Sequence, residues 1–505
     1  MLRVAVCAAL FAPLAAGLAA QQPVAPPGTG VAPRTCSVSI DSTGREALFV
    51  KVRTRTGEDY QAFAGGGVFG HCANEPWTTM QSESLAWYPE RSEARFLRSV
   101  RFRDSTASLD ADRLMYLVQQ ERLDAEGNVF TVNLHTRSSL RGPNLDYRRA
   151  RPGIRDTAEM YATRRPTIRF YSARDSARGD SAEPFVIVAD RARMRGNDQM
   201  WGGGNVTVDR SDLAARSDSA ALDLGAGAGS LVGGPPVVDG KGENHYRLTG
   251  TRIQVGLTPD HDLRRVLAQG QADAVGPDWH LRSDTLDLAL DSGKIQRAEA
   301  WGRGHRPDAL SGSYTVVADS LHILMPGQVM RETWGFGHGR ATNRPDSTVT
   351  EDDWMVGDTL HAEFAPADSV APDSAGRRKQ ELRHLTSHGS ARALYHIVDD
   401  AHRELPPGIN YSRGARIAIA MAKGKVSTVD VVGQVDGVYL EPVPRRPAAD
   451  STHAPADSTG RDARQPPTTG AARLPADSTG RAAPPPAAPP TPVRRPPGAM
   501  PEPGP

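Results

Sequence analysis

The chain has 505 residues with 60 basic and 59 acidic side chains, and its formal charge of +1 leaves no footprint for nucleic acid. Charge is interspersed, and the basic residues are nearly all arginine, with lysine only at positions 51, 241, 294, 379, 423 and 425. Arginine forks suit phosphate and carboxylate groups, but a codon bias produces the same excess and is the preferred explanation.

Residues 1–20 read as a secretory signal. Arg3 supplies the positive start, Val4 to Leu18 are largely apolar, and a small-residue run ends at Ala19 and Ala20, where cleavage is expected. The stretch is shorter than the roughly 20 apolar residues of a spanning helix; a retained anchor is the alternative. No later segment is apolar enough to span as a helix, so the expected location is the periplasm, with a possible association with the outer membrane. Residues 21–34 form a Pro/Gly-rich lead. After cleavage only Cys36 and Cys72 remain. In an oxidising compartment they are expected to form one disulfide; free thiols or a metal site are the alternatives, and there is no Cys-x-x-Cys pair.

From residue 35 to 441 apolar and polar residues alternate with the strand period, as at Ile253, Val255 and Leu257, or Leu286, Leu288 and Leu290. Gly, Asp and Asn separate the runs as turns. A small motif recurs: a small residue, an acid, any residue, then Leu or Ala. Its acids are Glu83, Asp112, Asp190, Asp218, Asp284, Asp319 and Asp358. Apparent neighbours are 28 to 39 residues apart, and the gaps from 112 to 190 and from 218 to 284 are about double, so each is expected to hold a degenerate copy. A second strand follows in each unit, ending in Gly-x-Val or a variant: Gly127-Asn128-Val129, Gly204-Asn205-Val206, Gly302-Arg303-Gly304, Gly337-His338-Gly339, Gly433-Gln434-Val435. Units of this length cannot bury their own faces, and stacking them buries a continuous core. The expected fold is all-β, an elongated, folded-over sheet of stacked strand repeats. Whether it breaks in the polar stretch Arg141 to Arg165 is left open.

The phrases Leu109-Asp110-Ala111-Asp112-Arg113-Leu114 with Glu126-Gly127-Asn128-Val129 resemble the organic-solvent-tolerance (OstA-like) domain. So do Gly204-Asn205-Val206-Thr207-Val208 with Ser217-Asp218-Ser219-Ala220. The resemblance spans roughly 80–441. It implies a β-jellyroll that shields the acyl chains of lipopolysaccharide or a similar glycolipid and joins other lipid-transport proteins end to end by strand addition. The strands near Cys36–Ile40 and Val435–Leu440 would be the docking edges. This chain is longer than the usual bridge protein of that family and lacks room for a large membrane barrel.

The inward lipid-binding residues are expected to be Val206, Val208, Leu222, Leu224, Ile253, Val255, Leu286, Leu288, Leu290, Leu321, Ile323, Leu360, Phe364, Ile417 and Ile419, with a closed core as the plainer alternative. Strand parity would put the repeated acids inside. A ladder of carboxylates there is costly, so they are expected at strand starts, on a rim, or where a bulge reverses parity. Arg113, Arg191, Arg193, Arg216 and Arg282 are candidate partners.

No catalytic residue, metal or cofactor is expected. Gly65 to Gly70 has G-x-G-x-x-G spacing without a βαβ context. There is no phosphate-binding loop, zinc motif or Gly-x-Ser-x-Gly turn, and the 14 histidines are scattered. Glu351-Asp352-Asp353 and Arg178-Gly179-Asp180 read as polar loops. Residues 442–505 hold 18 of the 40 prolines and no Phe, Trp or Tyr, and are expected to be a disordered tail. The expected function is a lipid-carrier bridge. The alternatives are a closed β-solenoid scaffold presenting that tail, which a fully packed interior would favour, and a polysaccharide enzyme, which needs carboxylates clustered on one face.

Overall fold

The computed structural model describes residues 35–442 apart from 56, 172–182, 243–244, 344–350, 367–379, 398–404 and 423. The signal, the lead, Arg178-Gly179-Asp180 and the tail from 443 onward lie outside them. The described residues belong to one contact unit, Met1–Arg445. They form one 30-stranded antiparallel sheet, with no α-helix among them.

The chain runs as a plain up-and-down meander. Each long pass is divided in two at its middle. In Ala107–Leu117 the register against Glu93–Arg103 jumps between Leu97/Arg113 and Val100/Ala111. Arg98 and Ser99 therefore oppose Asp112 alone, two residues against one, which is a β-bulge and bends both strands. The same jump recurs at Gly204-Asn205 opposite Asp218, at Gly270-Gln271 opposite Asp284, and at Gly337-His338 opposite Asp358. Where a pass is broken outright, its halves are separate short strands, as in Phe185–Val188 and Arg191–Arg195. The bends line up, and every pass contributes one arm to each of two ladders.

The first ladder runs from Val38–Thr43 to Asp436–Leu440, and the second from Leu48–Thr54 to Lys425–Val432. The polar stretch near residue 150 does not interrupt it. Ser139–Arg148 pairs with Thr167–Phe170 in the first ladder and with Glu159–Thr163 in the second. Alternate residues of both ladders are buried against each other; Phe102 of the first touches Tyr116 and Tyr147 of the second, with ring centroids 6.5 and 6.3 Å apart. One continuous core lies between the ladders. A disulfide joins Cys36 to Cys72 across 36 residues of sequence, at a Cα separation of 5.2 Å.

Candidate binding trough between the two ladders

Two rows of cross-strand neighbours run through the second ladder. One passes through Leu231, Ile253, Ala268, Leu286, Ala300, Leu321, Gly335, Leu360, Ser387, Ile417 and Val431. The adjoining row carries Leu222, Val255, Leu288, Ile323, Leu385 and Ile419. Large side chains from one pass alternate with small ones from the next, which lets the ladders approach closely. Twelve of the fifteen inward residues expected from the sequence are buried. Val208, Leu222 and Val255 are partly buried and packed against the core. Val206 and Val208 belong to the facing first ladder, beside Ile187, Ala215 and Val238.

The acids occupy the outside of the bends. In Ala111-Asp112-Arg113-Leu114 the small residue and the leucine are buried while the two between them are exposed. The bulge supplies the parity reversal that keeps each carboxylate in water. Four of them, Asp112, Asp190, Asp284 and Asp319, brace the bend that follows. Asn128 Nδ2 donates to Asp112 and Asn205 Nδ2 to Asp190, both at 2.8 Å, and His338 Nδ1 lies 2.8 Å from Asp319. The backbone N–H groups of Gly304 and His305 donate to Asp284 at 2.7 and 3.0 Å.

Gly127 (φ +78°) and Asn128 (φ +46°) both sit in the left-handed region. A Cβ on Gly127 would fall 2.4 Å from the Asp112 carboxylate, so glycine is required there by both conformation and space. The Gly-x-Val phrases at 127, 204 and 337 therefore do not end strands, as the spacing suggested; they bend them in the middle. Gly65 to Gly70 is another such bend, at Gly66 and Gly67, both of positive φ. The two wide gaps hold degenerate copies, Gly142-Pro143-Asn144-Leu145 and Gly250-Thr251-Arg252-Ile253. Pro143 and Thr251 take the acid's place, and the Thr251 hydroxyl donates to Gly270 O at 3.1 Å.

The expected arginine partners pair elsewhere. Arg113 pairs with Glu126, Arg193 with Glu159, Arg216 with Asp239 and Arg282 with Asp308. Arg191 packs over Gly203 instead. The acidic partners stand opposite or diagonal on the neighbouring strand: Arg113 opposes Glu126 and Arg282 opposes Asp308, where cross-strand side chains meet. Asp190 and Asp319 take Arg165 and Arg306, each at 3.2 Å.

Opposite the bends, the strand ends and turns of the two ladders form a mouth. Near the N-terminus it is clasped by charge. Arg149, just past the end of Ser139–Arg148, donates to Asp104 at 2.9 Å, Glu121 at 2.7 Å and Glu75 at 2.5 Å. Asp104 and Glu75 sit at strand ends of the first ladder, Glu121 and Arg149 at strand ends of the second. The Tyr116 and Tyr147 hydroxyls donate to Glu121 and Asp104 at 2.7 and 2.9 Å. Burial drives both phenols well above their ordinary pKa, reinforced by the adjacent carboxylates. Burial alone would lower Arg149, but Tyr116, Asp104 and Glu121 hold it well above its ordinary value. Midway, Arg210 reaches from the first ladder to the carbonyl of His261 in the second at 2.7 Å. These clasps are not legible in the order of residues, because isolated polar residues in turns look alike until the ladders face each other.

Among the described residues, two small voids lie between the ladders. One of about 50 Å³ lies amid Ile187, Val208, Leu222, Leu231, Val238 and Val255. The other, about 40 Å³, lies at the mouth near the C-terminal end, between Asn343 and Trp354 on one side and Leu382 and Met421 on the other. Among the described residues no helix is long and apolar enough to cross a membrane.

These features define a class: an all-β protein whose single sheet is creased into two facing ladders around an apolar interior. No family model matches the chain, and no curated protein matches it.

Proposed function

We propose that this protein is an exported lipid carrier of the bacterial envelope. In this reading it works in the periplasm and shields the acyl chains of lipopolysaccharide or a related glycolipid between the inner and outer membranes. The observation that carries the reading is the pair of largely apolar rows along the second ladder, broken by the buried hydroxyl residues Ser387 and Thr333 and faced by apolar residues of the first. Each methylene kept from water is worth roughly 0.8 kcal/mol, so a chain travelling between membranes needs such shielding along its whole path. The sequence resemblance to the organic-solvent-tolerance domain points the same way. At both ends the ladders finish in open edges that expose Leu48 and Phe49, and Val438 and Leu440. Unpaired edges of this kind join other sheets by strand addition, and sister lipid-transport domains are the proposed partners. The reading assigns no chemical step.

One observation favours the scaffold instead. The voids are about 40 and 50 Å³, well under the roughly 150 Å³ cavity that admits benzene. Carriage therefore requires the ladders to part at the mouth, with the creases as hinge. Photo-crosslinkers at Leu288 and Ile323, with exposed Arg265 and Arg297 as outer-face controls, separate the two readings in cells. The carrier reading expects glycolipid adducts from the inner positions only. Adducts absent from all four positions, or equal at all four, leave the scaffold.

A further inference from the structure

The inner lip of the first ladder changes character toward the C-terminus. Its last inward positions there are Ser311, Tyr314, Asn343 and Asp353, neighbours strand to strand, and beyond them Tyr395 and its neighbour Asn410, reached through the His396 N–H bond to Asp353. Across the void the second ladder presents Leu382, Met421 and Val426. A polar lip thus faces an apolar one over an apolar interior. Asn343 is 8% exposed and lines the void, yet its Oδ1 has no hydrogen-bond partner. A buried acceptor left unpaired costs free energy that a ligand donor would recover. The strand that ends at Asn343 begins after the turn Pro326–Gln328 on the opposite side of the mouth. There Gln328, equally buried, has an Nε2 donor without a partner. Asp353 accepts from His396 N and Nδ1 at 2.9 and 2.7 Å, and the lip row itself contains no Lys or Arg.

We propose that this C-terminal mouth is a side port for one amphiphile, resting on the carrier reading above. The acyl chain lies between the ladders. The head bears hydroxyl or amide groups, which both donate and accept, and sits at the lip with Asn343 accepting from it. Phosphate is not what this lip recognises, since it offers a carboxylate and an unpaired acceptor rather than cations. The N-terminal mouth is held shut by Arg149 and its three carboxylates, so lateral loading belongs to the other end.

The test uses the full chain and two diazirine-bearing C12 probes, one with a glucosyl head and one with phosphocholine, which has no donor. Adducts are mapped by mass spectrometry. The port expects several-fold more labelling of residues 382–394 and 419–426 by the glucosyl probe. Asn343→Leu should reduce that labelling to the phosphocholine level, while raising the unfolding midpoint of the ligand-free protein because a buried unpaired group is gone. Equal labelling by both probes, unchanged in Asn343→Leu, overturns the port but leaves the carrier intact. Interior labelling by neither probe, at the port or around Leu288, overturns both.

Discussion

The motif acids show how one residue serves a bend. Asp284 is held below its ordinary pKa first by the backbone N–H of His305 and then by that of Gly304; Asp319 is held low by its bond to His338. A carboxylate whose folded pKa lies below its unfolded value, near 3.9, stabilises the fold above that value. The contribution fades as pH falls through the folded pKa. Urea unfolding between pH 6 and pH 3 should show the wild type more stable than Asp284→Asn and Asp319→Asn near neutrality, with the curves converging on acidification. A constant offset across that range would mean these carboxylates do not act through their charge. The small residue before each acid has a separate task. Ser283 and Ser217 turn their hydroxyls onto the backbone, at Trp301 O and Ser219 O, at 2.8 and 2.9 Å, which satisfies a polar group inside the crease.

At the scale of the element, the crease is tight. A Cβ on Gly335 would stand 3.0 Å from the Cβ of Ala318, which is fully buried. Ala318→Leu should therefore overpack the crease and destabilise by about 1–3 kcal/mol, read as a lower urea midpoint at unchanged slope. The clasp is the second such element. Arg149→Met leaves Asp104 and Glu121 buried without their cation, and breaking a buried pair costs roughly 3–5 kcal/mol. If Arg149→Met unfolds like the wild type at pH 7, the mouth is not held by charge.

Across the whole molecule, the disulfide anchors the opening of the sheet. It closes a loop of 36 residues, so Cys36→Ser with Cys72→Ser should lose about 3–4 kcal/mol on the loop-entropy account. Calorimetry or denaturant titration of the oxidised protein against this variant checks it. How much of the architecture was legible depended on distance along the chain. The two-residue alternation at Leu286, Leu288 and Leu290 specified strands and their inward face, because side chains of a strand point alternately to its two sides. The repeat of small residue, acid, any residue and Leu specified a stacked period, and its double gaps pointed to degenerate copies, which the strand pairing then placed at Pro143 and Thr251. The place of the acids was legible in part: parity put them inside, and the cost of buried carboxylates moved them to strand starts, a rim or a bulge. Only pairing with the next pass selects the bulge, with two residues opposing one and the carboxylate turned to water. Nor could the order of residues reveal that Arg149 meets Glu75, 74 positions earlier, or that Asn343 is buried without a partner. The sequence by itself determined strand, face and period, which are local properties of a chain with a two-residue rhythm. Only the tertiary structure decided where the sheet creases, where its mouth is clasped and where it is not, because those depend on which polar groups two facing ladders bring together.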